Sequence, residues 1–288
     1  MSYRLEATEP VDEGVRRVAG EQIERSLAEL SNDDLGPHEK ALAVRKRCKK
    51  VRGLIRLVRP VFDGYADENN AMRDAARSLA GLRDAAAMLN TFDDLIAGDI
   101  NPNRFAPVRE RLVARRDQAA SANVDDALDR FRQAMEKALE RSGEWVIEGE
   151  GFEALRDGIT RTYGLTQLEM AQAYDIRTPE AFHEWRKRIK YDRYHTRLLA
   201  DAWELAADDR YEQAKAVSDL LGRDHDLSEL ATFLGSSSDE LTSEIKRRQT
   251  DLRLRAHGLG KQLYTDTPEE HTRRVERLWT DWYTGPDA

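Results

Sequence analysis

The chain has 288 residues, of which 40% are hydrophobic and 35% charged, and its formal net charge is −8. That length supports one large domain or two modest ones around a sizeable core, while no apolar run is long enough for a transmembrane span. The acidic balance argues against a general nucleic-acid binder, whose footprint is basic. The lone cysteine, Cys48, excludes an intramolecular disulfide and argues against a cysteine-based zinc site, so a cytoplasmic protein is expected.

In chain order, residues 1–10 lack both an apolar targeting core and an arginine-rich amphipathic segment, so no targeting signal is expected. Apolar residues at three- and four-residue spacing then predict helices at 10–31, 37–63, 67–98, 104–121, 124–142, 150–174, 179–205, 208–234, 238–264 and 268–283. Sustained strand-like alternation is absent. Asp63-Gly64 and Asp157-Gly158 lack the alternating apolar flanks of a hairpin, and Gly158 weakens the sixth helix. Long helices with short connections imply antiparallel bundles, hence an all-α fold.

The charges are segregated. From Arg45 to Arg59 the second predicted helix holds eight basic residues and no acid. Arg45, Lys49, Arg52, Arg56 and Arg59 follow a spacing of 4, 3, 4, 3, which sets them in one line along a helix. Val44, Cys48, Val51, Ile55 and Val58 form a second, apolar stripe that should face the core.

This basic segment recurs. Residues 42–58 align with 183–199 at an offset of 141, with seven of seventeen positions identical. Six of those are basic: Arg45/Arg186, Lys46/Lys187, Arg47/Arg188, Lys49/Lys190, Arg52/Arg193 and Arg56/Arg197. A proline opens each helix, Pro37 and Pro179, as suits a first-turn position. Some forty residues on, Leu82-Arg83-Asp84 and Asp224-His225-Asp226 are related at an offset of 142. Two copies of one helical unit follow, at residues 1–145 and 146–288.

Like charges at i,i+4 destabilise a helix by about 0.2–0.5 kcal/mol per pair, so such a row needs a compensating anion. Either acids on neighbouring helices supply it, or a ligand does. From Arg45 to Arg59 the rise is about 21 Å. A single phosphate needs one or two of these groups, whereas a chain of phosphates could use them all, with Arg forming forks and Lys acting as a point charge. Single-stranded nucleic acid would present a similar row of charge, but its binders add exposed aromatics for stacking. The first stripe has none, and the spacing of Tyr191 and Tyr194 suits the core.

At His183-Glu-Trp-Arg-Lys-Arg-Ile-Lys-Tyr-Asp-Arg193 the chain resembles the CHAD family of histidine-containing α-helical domains: a histidine, Arg at +3, Lys at +7 and Arg at +10, in two halves. The resemblance implies two four-helix bundles related by a pseudo-twofold axis, with basic helices lining a central channel. It further implies non-catalytic binding of inorganic polyphosphate and, in some members, association with polyphosphate or polyester granules. By position the contacts would be Arg45, Lys46, Lys49, Arg52 and Arg56 in the first half, and His183, Arg186, Lys187, Lys190, Arg193 and Arg197 in the second. Leu42 stands where the family pattern has a first-half histidine, with His38 one turn earlier as a substitute. The Glu-x-Glu-x-Lys signature of the CYTH domain that accompanies many relatives is absent, so catalysis borrowed from such a domain is not expected.

Two other readings remain open. One is a helical scaffold or granule coat whose stripes are ion pairs between helices. The other is a metal-dependent phosphohydrolase using His183 with His225-Asp226, although Arg83, the counterpart of His225, could not bind metal. His195, His257 and His271 read as packing or surface residues, Trp279, Trp282 and Tyr283 as the anchor of the last helix, and no cofactor or metal is expected.

Overall fold

Several helices begin where the sequence supplies a proline or a side-chain cap. In the computed structural model, which describes residues 3–98, 100–121, 124–203, 205–235 and 238–286, and side chains there except at 82, 83, 120, 121 and 205–208, all regular structure is helical. α1 spans Val11–Leu30 and α2 Pro37–Leu57. Pro37 takes the first turn of α2, where its missing N–H is no loss, and Glu39 accepts the Gly36 N–H at 2.9 Å. α8 (Pro179–Leu198) repeats this start: Thr178 accepts the Ala181 N–H at 3.3 Å and Pro179 follows. α12 (Pro268–Trp282) opens with a full capping box between Thr267 and Glu270.

Three predicted helices are each two elements. The expected 67–98 helix is α3 (Tyr65–Ser78) and α4 (Ala80–Ile96), which part at the fully buried Leu79. The expected 37–63 helix stops at Leu57, and Pro60, which has no N–H to donate, sits in a separate turn of 3₁₀ helix, Arg59–Val61. The expected 179–205 helix breaks at buried Leu199, before the short α9 (Ala200–Trp203). The others are α5 (Ala106–Ser121), α6 (Val124–Gly143), α7 (Glu153–Ile176), α10 (Leu205–Leu234) and α11 (Asp239–Leu263). No helix among the described residues is long and apolar enough to cross a membrane.

Packing partners recur along the chain. α1 packs on α2 and α7 on α8; α4 packs on α5 and α10 on α11; α6 meets α1 and α3, as α12 meets α7 and α9. The apolar interior nevertheless does not divide near residue 145. One core takes Val15, Ile23, Leu54, Phe131 and Trp279 together with Leu155 of α7 and Leu198 of α8. The other takes Phe92 and Leu112 of α4 and α5 with Tyr163 of α7, Trp185 of α8, Leu230 of α10 and Ile245 of α11. α7 and α8 therefore run through both cores. Trp279 stacks on Tyr283 at 4.9 Å and packs beside Trp282, so the final aromatics do anchor α12.

α2 and α8 cross at positions that the repeat pairs, Gly53 and Tyr194. A Cβ on Gly53 would lie 2.8 Å from Tyr194 Cδ2, inside van der Waals contact, so glycine is what lets the two helices approach. Beside it the buried His195 ring places Nε2 3.0 Å from the Gly53 carbonyl oxygen. Gly158 of α7 plays the same part against α2, since a Cβ there would sit 1.7 Å from the Leu57 carbonyl oxygen. It marks a helix–helix contact inside α7 rather than an interruption of it.

Candidate anion-binding site

The crossing brings the two basic stripes together. Val44, Cys48, Val51, Ile55 and Val58 are all buried, as the apolar stripe requires, which rotates Arg45, Lys49, Arg52 and Arg56 of α2 onto one wall of a cavity of about 570 Å³. His183, Arg186, Lys187, Arg188 and Lys190 of α8 line the same cavity. α4 contributes Asp84, Ala87 and Met88, and α10 contributes His225, Asp226 and Glu229. Gly222 of α10 makes room here, because a Cβ on it would lie 3.3 Å from Arg186 Nη2.

Several expected residues lie elsewhere. Lys46 is one position past Arg45, about 100° around the helix, and is exposed outside the cavity lining. Arg193 and Arg197 lean over the Tyr211 ring at 5.7 and 5.6 Å, beyond the crossing, and also miss the cavity wall. His38, half-buried in the first turn of α2, is not part of the lining, and Leu42 is 50% exposed.

Other lining residues escaped the stripe argument. Arg115 reaches the cavity from α5, and Arg188, identical in the repeat, lines it while also donating to Glu169 at 3.4 Å. Tyr191 and Tyr194 pack as core-facing residues yet still form part of the wall. The Leu82-Arg83 part of the downstream motif lies outside the described side chains, while Asp84 and Asp226 both face the cavity. In the same region Asp224 accepts from Arg253 Nε at 2.7 Å. His183 and His225 lie with ring centroids 4.3 Å apart, but no group of three His, Cys, Asp or Glu residues able to hold a metal occurs among the described residues.

Lys187 and Arg188 of this wall form ion pairs with Glu184 and Glu169, but Arg52 and Arg56 stand apart. Elsewhere arginines meet carboxylates: Arg47 with Glu29, Arg141 with Glu68, Arg210 with Asp192. Arg52 and Arg56 instead share one neutral oxygen, Asn69 Oδ1, at 3.1 and 2.8 Å. Neither makes an ion pair with a carboxylate among the described residues. Burial, together with the nearby Arg52 and Arg188 charges, holds the Arg56 guanidinium below its ordinary pKa, although stacking 4.1 Å over the Tyr191 ring works the other way. Burial and the neighbouring His225, Arg186 and Lys187 push His183 down to about 4, so its imidazole is neutral at physiological pH.

This cavity, formed where two like helices cross, is the setting for the comparison with known proteins. The CHAD domain model matches residues 17–235, which include both basic helices and every element of the cavity wall. The chain belongs to the CHAD family. Among solved structures, the CHAD domain is similar to the crystal structure of the CHAD domain from the plant Ricinus communis, at 16% identity and a TM-score of 0.55, covering 96% of this chain and 95% of that one. It is also similar to PptA from Streptomyces chartreusis, at 12% identity and a TM-score of 0.56, covering 94% of this chain and 100% of that one. No curated protein matches it. At these identities the likeness establishes a shared fold, and α11 and α12 follow the matched stretch of the CHAD domain.

Proposed function

We propose that this CHAD domain binds inorganic polyphosphate in the cavity between α2 and α8, without catalysing a reaction on it. The observation that carries the reading is the convergence of two stripes, 141 residues apart in sequence, on one cavity where Arg52 and Arg56 have only neutral hydrogen-bond partners among the described residues. A stripe that served only to pair helices would be expected to meet acids, as Arg47 and Arg141 do. Burying uncompensated guanidinium groups costs free energy that an anion recovers. The row of cations is long enough for several phosphates in succession, which favours a linear polymer over a single phosphate. Arg56 covers a face of Tyr191, which disfavours base stacking there and so favours polyphosphate over single-stranded RNA. The recurring packing scheme fits two copies of one unit about a pseudo-twofold axis, with Arg193, Arg197, Lys46 and His38 as outer contacts for a chain leaving the cavity. Cytoplasmic residence and recruitment to polyphosphate granules would follow from such binding.

The test is a titration with long-chain polyphosphate at two salt concentrations, beside the quadruple variant Arg45→Glu, Lys49→Glu, Arg186→Glu, Lys190→Glu. Binding that weakens with salt and vanishes in the folded variant is expected, because released counterions drive such contacts. Equal binding by the variant, or tighter binding of single-stranded RNA, would overturn the reading.

A further inference from the structure

The basic cavity does not end at His183. A second cavity of about 510 Å³ shares His183, Glu184, His225 and Glu229 with it and continues past Ser228, Thr232 and Gln249. The two imidazoles, 4.3 Å apart and tilted 45° to one another, stand where the cavities meet. His183 Nδ1 is buried there with no hydrogen-bond partner among the described residues, an uncommon state for a buried ring nitrogen and one that a ligand oxygen could relieve. Phe182 and Trp185, the neighbours of His183 on α8, are buried in the core, so the ring is held in place.

We propose that the His183–His225 pair is a proton-binding subsite, so that a phosphate chain passing between the two cavities draws a proton onto the imidazoles. The inference rests on the polyphosphate reading of the cavity and adds its regulation by pH.

The charges around the pair set the direction. On α8, Arg186 and Lys187 oppose a proton on His183, and Glu180 and Glu184 favour one. On α10, His225 opposes it, and Asp226 and Glu229 stand on the favourable side. Gln249 of α11 is neutral, while Asp84 of α4 and Arg115 of α5 face the same cavity with opposite charges. Without ligand the cations and burial prevail, and His183 is held down to about 4. A row of phosphate oxygens engages Arg186 and Lys187, adds negative charge beside the ring and supplies an acceptor for Nδ1–H. Each change favours imidazolium. The complex then holds more protons than the free protein, so affinity rises as pH falls. The gain runs from the pKa in the complex down to about 4, below which both states are protonated and it ends.

The decisive measurement is calorimetric titration of the whole chain with polyphosphate at about pH 6, in two phosphate-free buffers that differ in ionisation enthalpy. The difference in heat counts protons taken up. The wild type is expected to take up about one proton per site, which makes affinity rise by up to about tenfold per pH unit lowered. His183→Gln should take up close to none and flatten the pH profile while still binding. His225→Gln removes one of the groups that disfavour a proton on His183 but leaves burial, the larger cause, in place, so proton uptake should persist and change less than in His183→Gln. Circular dichroism melts establish that each variant is folded, and the comparison between variants cancels protons exchanged by the polymer's own ends. Equal uptake by the wild type and His183→Gln, or none by the wild type, overturns the subsite and leaves the polyphosphate reading standing. A wild type that gives no binding at all overturns that reading, and the subsite with it.

Discussion

Replacing Asp192 with Ala should unfold a large part of the margin that keeps α8 in place. Asp192 is 4% exposed, and its Oδ2 accepts from Arg210 Nη2 and from the Tyr264 hydroxyl, both at 2.8 Å. The Arg210 side chain is itself only 11% exposed and is ringed by Tyr163, Trp203 and Tyr264. Among the described residues its other acceptor is the Leu263 carbonyl oxygen, at 3.1 Å. Removing the carboxylate therefore strands a guanidinium charge in a nearly dry aromatic enclosure, and breaking a buried pair from one side costs about 3–5 kcal/mol. Against a whole-protein stability of about 5–15 kcal/mol, that loss is large. Urea unfolding followed by circular dichroism reads it directly. The double variant Asp192→Ala, Arg210→Met removes both charges and should recover much of the loss, giving a coupling of about 0.5–3 kcal/mol in a double-mutant cycle. A single-variant loss below about 1 kcal/mol, or additive effects in the cycle, would refute the assignment of this pair as the lock between α8, α10 and the end of α11.

Other predictions are shorter. Gly158→Ala should destabilise by at least about 1–3 kcal/mol, because the added Cβ would lie 1.7 Å from a backbone oxygen, Leu57 O, that cannot swing aside; an unchanged urea midpoint would contradict the close approach of α7 to α2. His195, fully buried against the Gly53 carbonyl, is pushed down to about 4 chiefly by burial, so it is neutral when folded and titrates near about 6.5 when unfolded. The unfolded chain thus binds a proton first as the medium is acidified. His195 alone should contribute a fall on the order of 3 kcal/mol between about pH 6.5 and 4, and His195→Gln should make that part of a thermal-melt pH profile shallower, with His183 and His271 keeping their own shares of the slope. Arg115→Glu alters an exposed residue of the cavity wall, so it should weaken polyphosphate binding several-fold and reduce the salt slope, while stability stays within about 0.5 kcal/mol.

What the sequence disclosed, and what it hid, follow from which interactions are local. The stripes were legible because helical periodicity is local and because the same basic register occurs twice, which a solvated face has no reason to repeat. The starts of α2 and α8 were legible for the same reason, through Pro37 and Pro179. The breaks at Leu79 and Leu199 were not. Leucine is a good helix former, and only its burial in the tertiary core fixes the turn there. Arg115 was hidden because its approach to the cavity depends on how α4 and α5 fold back against α10. The placement of Arg193 and Arg197 over Tyr211 was hidden by the distance in sequence between α8 and α10. Gly53 carries no signal in the sequence, and its purpose emerges only with Tyr194 beside it.

The same contrast bears on how a chain of net charge −8 could carry the proposed polyanion site. Charges beyond about 8–10 Å are screened at physiological salt, so the acidic exterior acts weakly on a ligand already in the cavity. Inside, the cations act at contact distance and partly out of water, where each interaction is several-fold stronger. Arg52 and Arg56, bonded to one amide oxygen instead of to carboxylates, hold that site in a like-charged state that an anion relieves. Salt therefore has two opposed effects. It softens the repulsion that slows approach of a polyanion to the acidic surface, and it weakens the contacts that retain the polymer once bound. Since binding equilibria of this kind are governed by the contacts, affinity for the proposed polyphosphate ligand should fall with salt even though the net charge of the protein opposes a polyanion.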